Sequence, residues 1–373
     1  MSRKLQSHSN PSLEDLPEEL IFYILSRLPE TTIIYCKCVC KRLRYLFSEI
    51  RLPKCLLIYQ YQSMIAGKHH PGILQLVEIE EELEQNHLLR DPFMGIDMTK
   101  LFPRSFIFLA GSVDGLVCLW ELTDECDRTH ICNPMTREHM TIPKQNIHVK
   151  FFLNVTYGFG VSLAGEYKVI RIVSRIVRGD PVKVEVYTLG SHHWRNLDVS
   201  CKLNYLRLWD HGIYFNGHIY WIMGNQLLSF NLDKEKFQLF PFPPPPKQRI
   251  IGIGNSYLGV LKGCLCYLYK SDNAFIFWVM TKEHKMKKYW HIELDIAKST
   301  LEITSPLLVT DGSNDQSILF VQNRENHQLV AYCPETNKFE DTKLSETNFR
   351  IYNYRPSFVK LQNFQSSARI HVF

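Results

Sequence analysis

The residues of this 373-residue chain that could do chemistry come in a few short groups. Cys36, Cys38 and Cys40 are close enough together to suggest a metal site. On a helix, though, Cys36 and Cys40 share a face while Cys38 points elsewhere, and no paired Cys/His set follows at zinc-finger spacing. Metal binding is therefore not expected. Neither the G-x-S-x-G turn of a nucleophilic serine nor the H-E-x-x-H helix of a zinc protease occurs. Gly252-Ile253-Gly254 lacks the third glycine of a dinucleotide loop and has no βαβ surroundings. His69-His70 and His192-His193 read as loop or turn residues. The basic run Lys282–Lys288 reads as a solvated hairpin tip, with nuclear import or contact to an acidic substrate as the lesser alternative. Pro243–Pro246 reads as a stiff connector rather than an SH3 ligand, because polyproline geometry suits an extended link. The sequence thus predicts no catalytic residue, no metal and no cofactor, so function must lie in what the surfaces bind.

The elements that would present such surfaces begin with a helical stretch, residues 12–48. Leu16, Leu20 and Ile24 recur at i, i+4 and i+8, one face of a helix. Pro17 sits where a first turn tolerates it, and Glu18 and Glu19 follow near the positive end of the dipole. Ser12, three residues before Asp15, resembles a capping signal. Leu28-Pro29 stops the helix, because the residue before a proline is pushed out of the α region. Thr31 or Thr32 can cap a second short helix carrying Ile33 and Ile34, and Val39, Leu43, Leu46 and Phe47 give the spacing of a third. Three short helices within ~40 residues cannot hide all of that apolar surface, and a module this small needs a partner. A basic rim of Lys37, Lys41, Arg42 and Arg44 suits an acidic, helical one. The alternative at this point is a helical cap packed on the next domain.

Beyond about residue 52 the pattern becomes β. Short apolar runs alternate with turn residues and group at a longer period: 106–142, 157–197, 212–243, 257–294 and 306–344. Each group closes on a similar element, seen in NPMTREHMTIP, NLDKEKFQLFP and CPETNKFEDTK. Self-similarity at ~40 residues with about four strands per unit predicts a β-propeller. Residues 55–80 could start one more blade, and Ser357–Phe364 could complete the ring, which gives six blades. Five or seven blades, or a β-sandwich, are the structural alternatives.

Composition agrees with a globular protein of more than one domain: 45% hydrophobic, 22% charged and 12% aromatic residues. A net charge of +5 is mild for this length and does not suggest a nucleic-acid protein, and no window approaches the ~18 apolar residues of a membrane helix. The eleven cysteines are odd in number and mostly inside apolar runs, which reads as buried thiols in a reducing compartment. The polar N-terminus lacks a signal peptide, and Asn154-Val155-Thr156 is then an idle glycosylation sequon. The expected location is cytoplasmic and/or nuclear.

Two resemblances give these elements a purpose. Leu16-Pro17 with Leu20, then Ile24-Leu25-Ser26-Arg27-Leu28-Pro29, then Lys37-Cys38-Val39-Cys40-Lys41 resemble, in order, the F-box of plant proteins. That motif binds the Skp-type adaptor of cullin-based ubiquitin ligases. Where plant F-boxes usually carry a tryptophan, this chain has Leu43-Arg44-Tyr45, and Leu43 fills an apolar slot with less area than an indole. Gly111–Cys118, Asn133–Arg137, Tyr157-Gly158-Phe159-Gly160, Tyr167–Ile170, Tyr187-Thr188-Leu189 before His193-Trp194, and Phe215–Ile222 resemble the kelch-like F-box-associated domain. The aspartate usual after its Gly-Phe-Gly turn is absent here, where Val161-Ser162 follow.

These resemblances imply an α+β multidomain chain: a small three-helix F-box followed by an all-β, propeller-like domain of about six blades. The implied boundaries are a disordered 1–11, an F-box at 12–50 and the propeller at 51–373. Leu16, Pro17, Leu20, Ile24, Leu28, Pro29, Val39 and Leu43 would contact the adaptor, with Lys41 and Arg42 steering it. Cullin and RING subunits would join indirectly, and the propeller would hold a target protein, whose identity is not legible. The rival readings are a scaffold outside any ligase and a propeller that binds a glycan or small ligand, for which Trp194, Trp209 and Trp221 are the candidate aromatics.

Overall fold

The computed structural model describes residues 16–17, 20–21, 23, 32, 54–60, 72–79, 94–103, 105–123, 127–143, 153–175, 182–198, 211–223, 226–243, 256–270, 273–282, 288–297, 304–311, 316–323, 328–345, 349–364 and 370–372. The chain divides into two units, Met1–Pro53 and Lys54–Phe373. In the first, Leu20, Ile21 and Tyr23 are helical, and the amides of Leu20 and Ile21 each donate to the Pro17 carbonyl at 3.1 Å. A proline fits there because its missing N–H would have had no partner in a first turn. Thr32 is also helical. Residues 1–11 and the rest of the three expected helices lie outside the described residues.

The second unit is a six-bladed β-propeller, with blades of antiparallel strands arranged around an axis. Blade 1 takes β1 (Cys55–Gln60), β2 (Ile73–Glu78) and β3 (Met94–Asp97). After one helical turn, α1 (Met98–Leu101), blade 2 follows with β4 (Phe106–Val113), β5 (Leu116–Leu122), β6 (Asp127–Asn133) and β7 (Glu138–Thr141). Blade 3 holds β8 (Leu153–Val161), β9 (Tyr167–Arg175), β10 (Lys183–Thr188) and β11 (Arg195–Leu197). Blade 4 holds β12 (Ile213–Phe215), β13 (His218–Met223), β14 (Gln226–Asn231) and β15 (Lys236–Pro241). Blade 5 holds β16 (Ser256–Leu261), β17 (Cys264–Lys270), β18 (Ala274–Lys282) and β19 (Lys288–Ala297). Blade 6 holds β20 (Thr304–Asp311), β21 (Ser317–Asn323), β22 (Gln328–Cys333) and β23 (Lys338–Ser345).

The ring closes differently from the sequence expectation. The strand that completes blade 1 is β24 (Phe349–Tyr354), which lies antiparallel to β1 from Cys55↔Tyr354 to Gln60↔Phe349. Ser357–Phe364 is not a strand: it runs as an extended strap into a 3-10 turn at Leu361–Phe364. The chain then adds β25 (Ile370–Val372) to β7, as a fifth strand on blade 2. The reason lies in blade 2. Asn133 donates from Nδ2 to the carbonyls of Ser357 (3.0 Å) and Val359 (2.8 Å), and Glu138 accepts from the Leu361 amide (2.8 Å). Strap groups bonded to side chains in this way are not available to a sheet ladder.

Burial follows position within each blade. All seven residues of β5 are buried, whereas every residue of the outermost strand β15 is exposed or half-buried. Inner strands are sandwiched between neighbouring blades, so they read as unbroken apolar runs such as CLCYLY rather than as alternation. Separate apolar cores fill the spaces between blades, as where Trp120 and Met140 of blade 2 meet Tyr157 and Val173 of blade 3.

The hairpin tips explain the period seen in the sequence. Asp114-Gly115, Asn216-Gly217 and Lys262-Gly263 turn with positive φ at both residues, the twist that two-residue hairpins need. The closing turns Asn133–Arg137, Asn231–Glu235 and Cys333–Asn337 each end on a residue with φ between 50 and 55°. In the first two, the opening asparagine caps the turn: Asn133 Oδ1 accepts from Met135, and Asn231 Oδ1 from Asp233 and Lys234.

Candidate functional site

Of the ten adaptor residues read from the sequence, Leu16, Pro17 and Leu20 are described; Ile24, Leu28, Pro29, Val39, Lys41, Arg42 and Leu43 lie outside the described residues. Leu20 is 50% exposed and Tyr23 56%, while Ile21 between them is 1% exposed. The first helix therefore presents large apolar side chains to solvent beside one that is buried. Cys36, Cys38 and Cys40 lie outside the described residues, and among those described no group of three His, Cys, Asp or Glu could hold a metal ion. Among the described residues, no helix is long and apolar enough to cross a membrane. His192 and His193 sit exposed in the turn between β10 and β11.

On the propeller axis the innermost strands enclose a cavity of about 210 Å³, to which every blade contributes. Its wall includes Ser112 of β4, Phe159 of β8, Tyr214 of β12, Leu258 of β16, Leu308 of β20 and Tyr352 of β24. His211, just before β12, lies 5.1 Å from the Tyr352 ring, centroid to centroid. Burial, and then the charge of Arg350, bring its imidazole down to about 4, so the ring is neutral near pH 7.

One wall of the cavity is set by the Gly-Phe-Gly motif. A Cβ at Gly158 would come within 2.6 Å of the Trp221 ring, and one at Gly212 within 2.5 Å. Both glycines leave the room that the indole occupies, where its Nε1 donates to the Tyr157 carbonyl at 3.1 Å. Gly160 makes room for Tyr214 in the same way. The motif is thus the seat on which blade 4 packs against blade 3. Trp194 and Trp221 are both buried, so they do not form an exposed aromatic mouth, and Trp209 lies outside the described residues.

Two buried polar clusters had no signal in the sequence. In blade 2, Ser105 Oγ donates to Glu121 Oε1 (2.6 Å), His130 Nε2 lies 3.0 Å from Glu121 Oε2, and Thr141 Oγ1 lies 3.0 Å from His130 Nδ1. Burial alone would raise the Glu121 carboxyl, but the hydrogen bonds from His130 and Ser105 outweigh it and hold it below the usual range. The order hydroxyl–imidazole–carboxylate is that of a catalytic relay, yet His130 and Glu121 are buried among strands and brace β5, β6 and β7 together. Between blades 2 and 3, the fully buried Arg171 binds Asp127 (2.7 Å) with one guanidinium nitrogen and Glu185 with another.

The comparisons with known proteins agree with both units. Residues 13–54 match the F-box domain, and residues 75–371 match the F-box associated beta propeller domain. The F-box protein CPR1 of Arabidopsis thaliana is 23% identical over 369 residues, covering 89% of this chain and 85% of CPR1. An F-box/kelch-repeat protein of the same plant is 26% identical over 319 residues, 81% of this chain and 84% of its own. A match that spans most of the chain, on a structure that is a β-propeller, places this chain in the family of F-box proteins with an F-box associated β-propeller.

Proposed function

We propose that this chain is the substrate-recognition subunit of a Skp–cullin–F-box ubiquitin ligase. The observation that carries the reading is the succession, in one chain, of an F-box at 13–54 and a propeller domain at 75–371. In this reading Leu16, Pro17, Leu20, Ile24, Leu28, Pro29, Val39 and Leu43 dock the Skp-type adaptor, and Lys41 and Arg42 steer it electrostatically. The adaptor joins the cullin and RING subunits, and the propeller holds a target protein near the ubiquitin thioester. The chain supplies no catalytic group. It accelerates transfer by turning a bimolecular encounter into a local one. The cell compartment is cytoplasmic or nuclear, where such a ligase would meet its targets.

The test is co-expression with a Skp-type adaptor and size-exclusion chromatography of the wild-type chain, a chain lacking residues 1–50, and Leu20→Ala. The wild type co-elutes with the adaptor and the truncated chain does not. Exposed Leu20 acts as an interface anchor, so its truncation weakens adaptor binding by ~2 kcal/mol, about thirtyfold in Kd. Near-wild-type affinity for Leu20→Ala would remove that residue from the site. Failure of the wild type to co-elute would favour a scaffold outside any ligase.

A further inference from the structure

We propose that the axial cavity of the propeller is a binding site for a small, uncharged aromatic molecule bearing one hydrogen-bonding group. Size comes first. An apolar cavity of about 150 Å³ takes up benzene, and at about 210 Å³ the axial cavity has room for a two-ring molecule. Its lining is the second argument. Tyr214, Tyr257, Tyr352 and His211 are not buried and bring four aromatic rings to its wall, while Phe159 and Trp221 pack behind it in the cores between blades. Such rings favour a flat partner through stacked and edge-on contacts.

Charge is the third argument. Among the described residues that line the cavity there is no Asp, Glu, Lys or Arg, and His211 is neutral near pH 7. A charged ligand would lose its hydration without gaining a counter-ion, a cost that a neutral ligand escapes. Polar groups also reach the wall, from Ser112, Asn353, the Tyr257 hydroxyl and a His211 ring that can donate at one nitrogen and accept at the other. That pattern, apolar walls with a few convergent polar groups, is the usual make-up of a small-molecule site.

Preorganisation is the fourth. The Trp221 indole, packed against Gly158 and Gly212 and bonded to the Tyr157 carbonyl, fixes the seam of blades 3 and 4 just behind the wall, so the wall is rigid before a ligand binds. The proposal does not depend on the adaptor reading, since every residue it uses belongs to the propeller.

Indole is the probe, and the full-length chain labelled with 5-fluorotryptophan gives the readout by ¹⁹F NMR. The six tryptophans give six resonances, and Trp221→Phe identifies that of Trp221. The expected result is a saturable shift of the Trp221 resonance with a Kd of ~1 mM or below, the range for so few atoms. Ser112→Phe and Leu308→Phe, which fill the cavity, each weaken indole binding at least tenfold, while Tyr289→Ala on the exposed edge of blade 5 leaves it unchanged. No saturable shift in the wild type overturns the proposal, and that result needs no variant to fold. Binding that survives both filling substitutions overturns it too. Tighter binding of benzoate or benzylammonium than of indole refutes the uncharged class.

Discussion

Replacing Asn133 by alanine tests how the propeller ring is held shut. Asn133 is 0% exposed, and its side chain serves both the strap and the closing turn of blade 2. Its Nδ2 donates to two strap carbonyls, those of Ser357 and Val359, and its Oδ1 accepts from the Met135 amide at 3.0 Å. Alanine leaves three backbone groups without these partners. A buried polar group left unsatisfied costs about 1–3 kcal/mol. Met135 is buried, so its amide belongs at the upper end. Ser357 and Val359 are half-buried and can recover some hydration, which puts their carbonyls at the lower end. The sum is ~3–5 kcal/mol, a fifth or more of the ~5–15 kcal/mol of an ordinary domain. Urea unfolding of the full chain, followed by tryptophan fluorescence, gives the loss for the propeller transition. Limited proteolysis with mass spectrometry shows where it acts, and cleavage should begin within 355–364. A loss below ~1 kcal/mol with no new cleavage there would refute the assignment of Asn133 as the anchor of the strap.

Two further predictions follow from buried charge. His211 is lowered from an ordinary 6.5 to about 4, so the unfolded chain binds the extra proton first as pH falls, and the stability His211 gives above pH 6.5 is lost between 6.5 and 4. Between pH 7 and pH 5 the full shift corresponds to ~2 kcal/mol, which solvent reaching this half-buried ring trims to about 1–2 kcal/mol. His139, lowered to about 4 by burial and by its His130 and His371 neighbours, acts in the same direction. Glu121, whose folded carboxyl is lowered, adds a loss that begins below pH 4.5. Urea midpoints at pH 7 and pH 5 check this, and a His211→Asn chain with an unchanged pH slope would refute it. Arg171→Met leaves Asp127 and Glu185 buried without their cation and should cost ~3–5 kcal/mol in the same assay. Adding Asp127→Leu and Glu185→Leu should restore most of the loss, and a single variant as stable as the wild type would show that the triad does not hold blades 2 and 3 together.

The blades were legible because several of them repeat the same chemistry at their tips. Asp114-Gly115 and Asn216-Gly217 can turn with positive φ, and Asn133 and Asn231 can cap the closing turns with their own side chains. These are local choices, settled within four or five residues, so they recur visibly. Even the missing aspartate after Gly158-Phe159-Gly160 has a local substitute. Ser162 Oγ accepts from the Glu166 amide at 3.1 Å within the turn, and Asp233 of blade 4 adds a distant support by accepting from the Leu163 and Ala164 amides.

What was not legible is whatever distant strands decide together. FRIYNY and SFVKLQNF both contain enough apolar residues to serve as the closing strand, and nothing within either segment chooses between them. The choice is made by Asn133 and Glu138, more than 220 residues upstream, which bind the second segment as a strap and leave β24 to pair with β1. The cavity wall has the same character, since its residues come from the inner strand of every blade and only the ring brings them together. So does the chain of Glu121, His130 and Thr141, whose contacts follow from the register of three strands and not from any spacing that a motif could record. In a propeller the local sequence specifies blades, and the pairing of the two ends specifies the ring. Substitutions at the hairpin tips should therefore weaken one blade at a time, whereas those at Asn133 act on the closure that all six blades share.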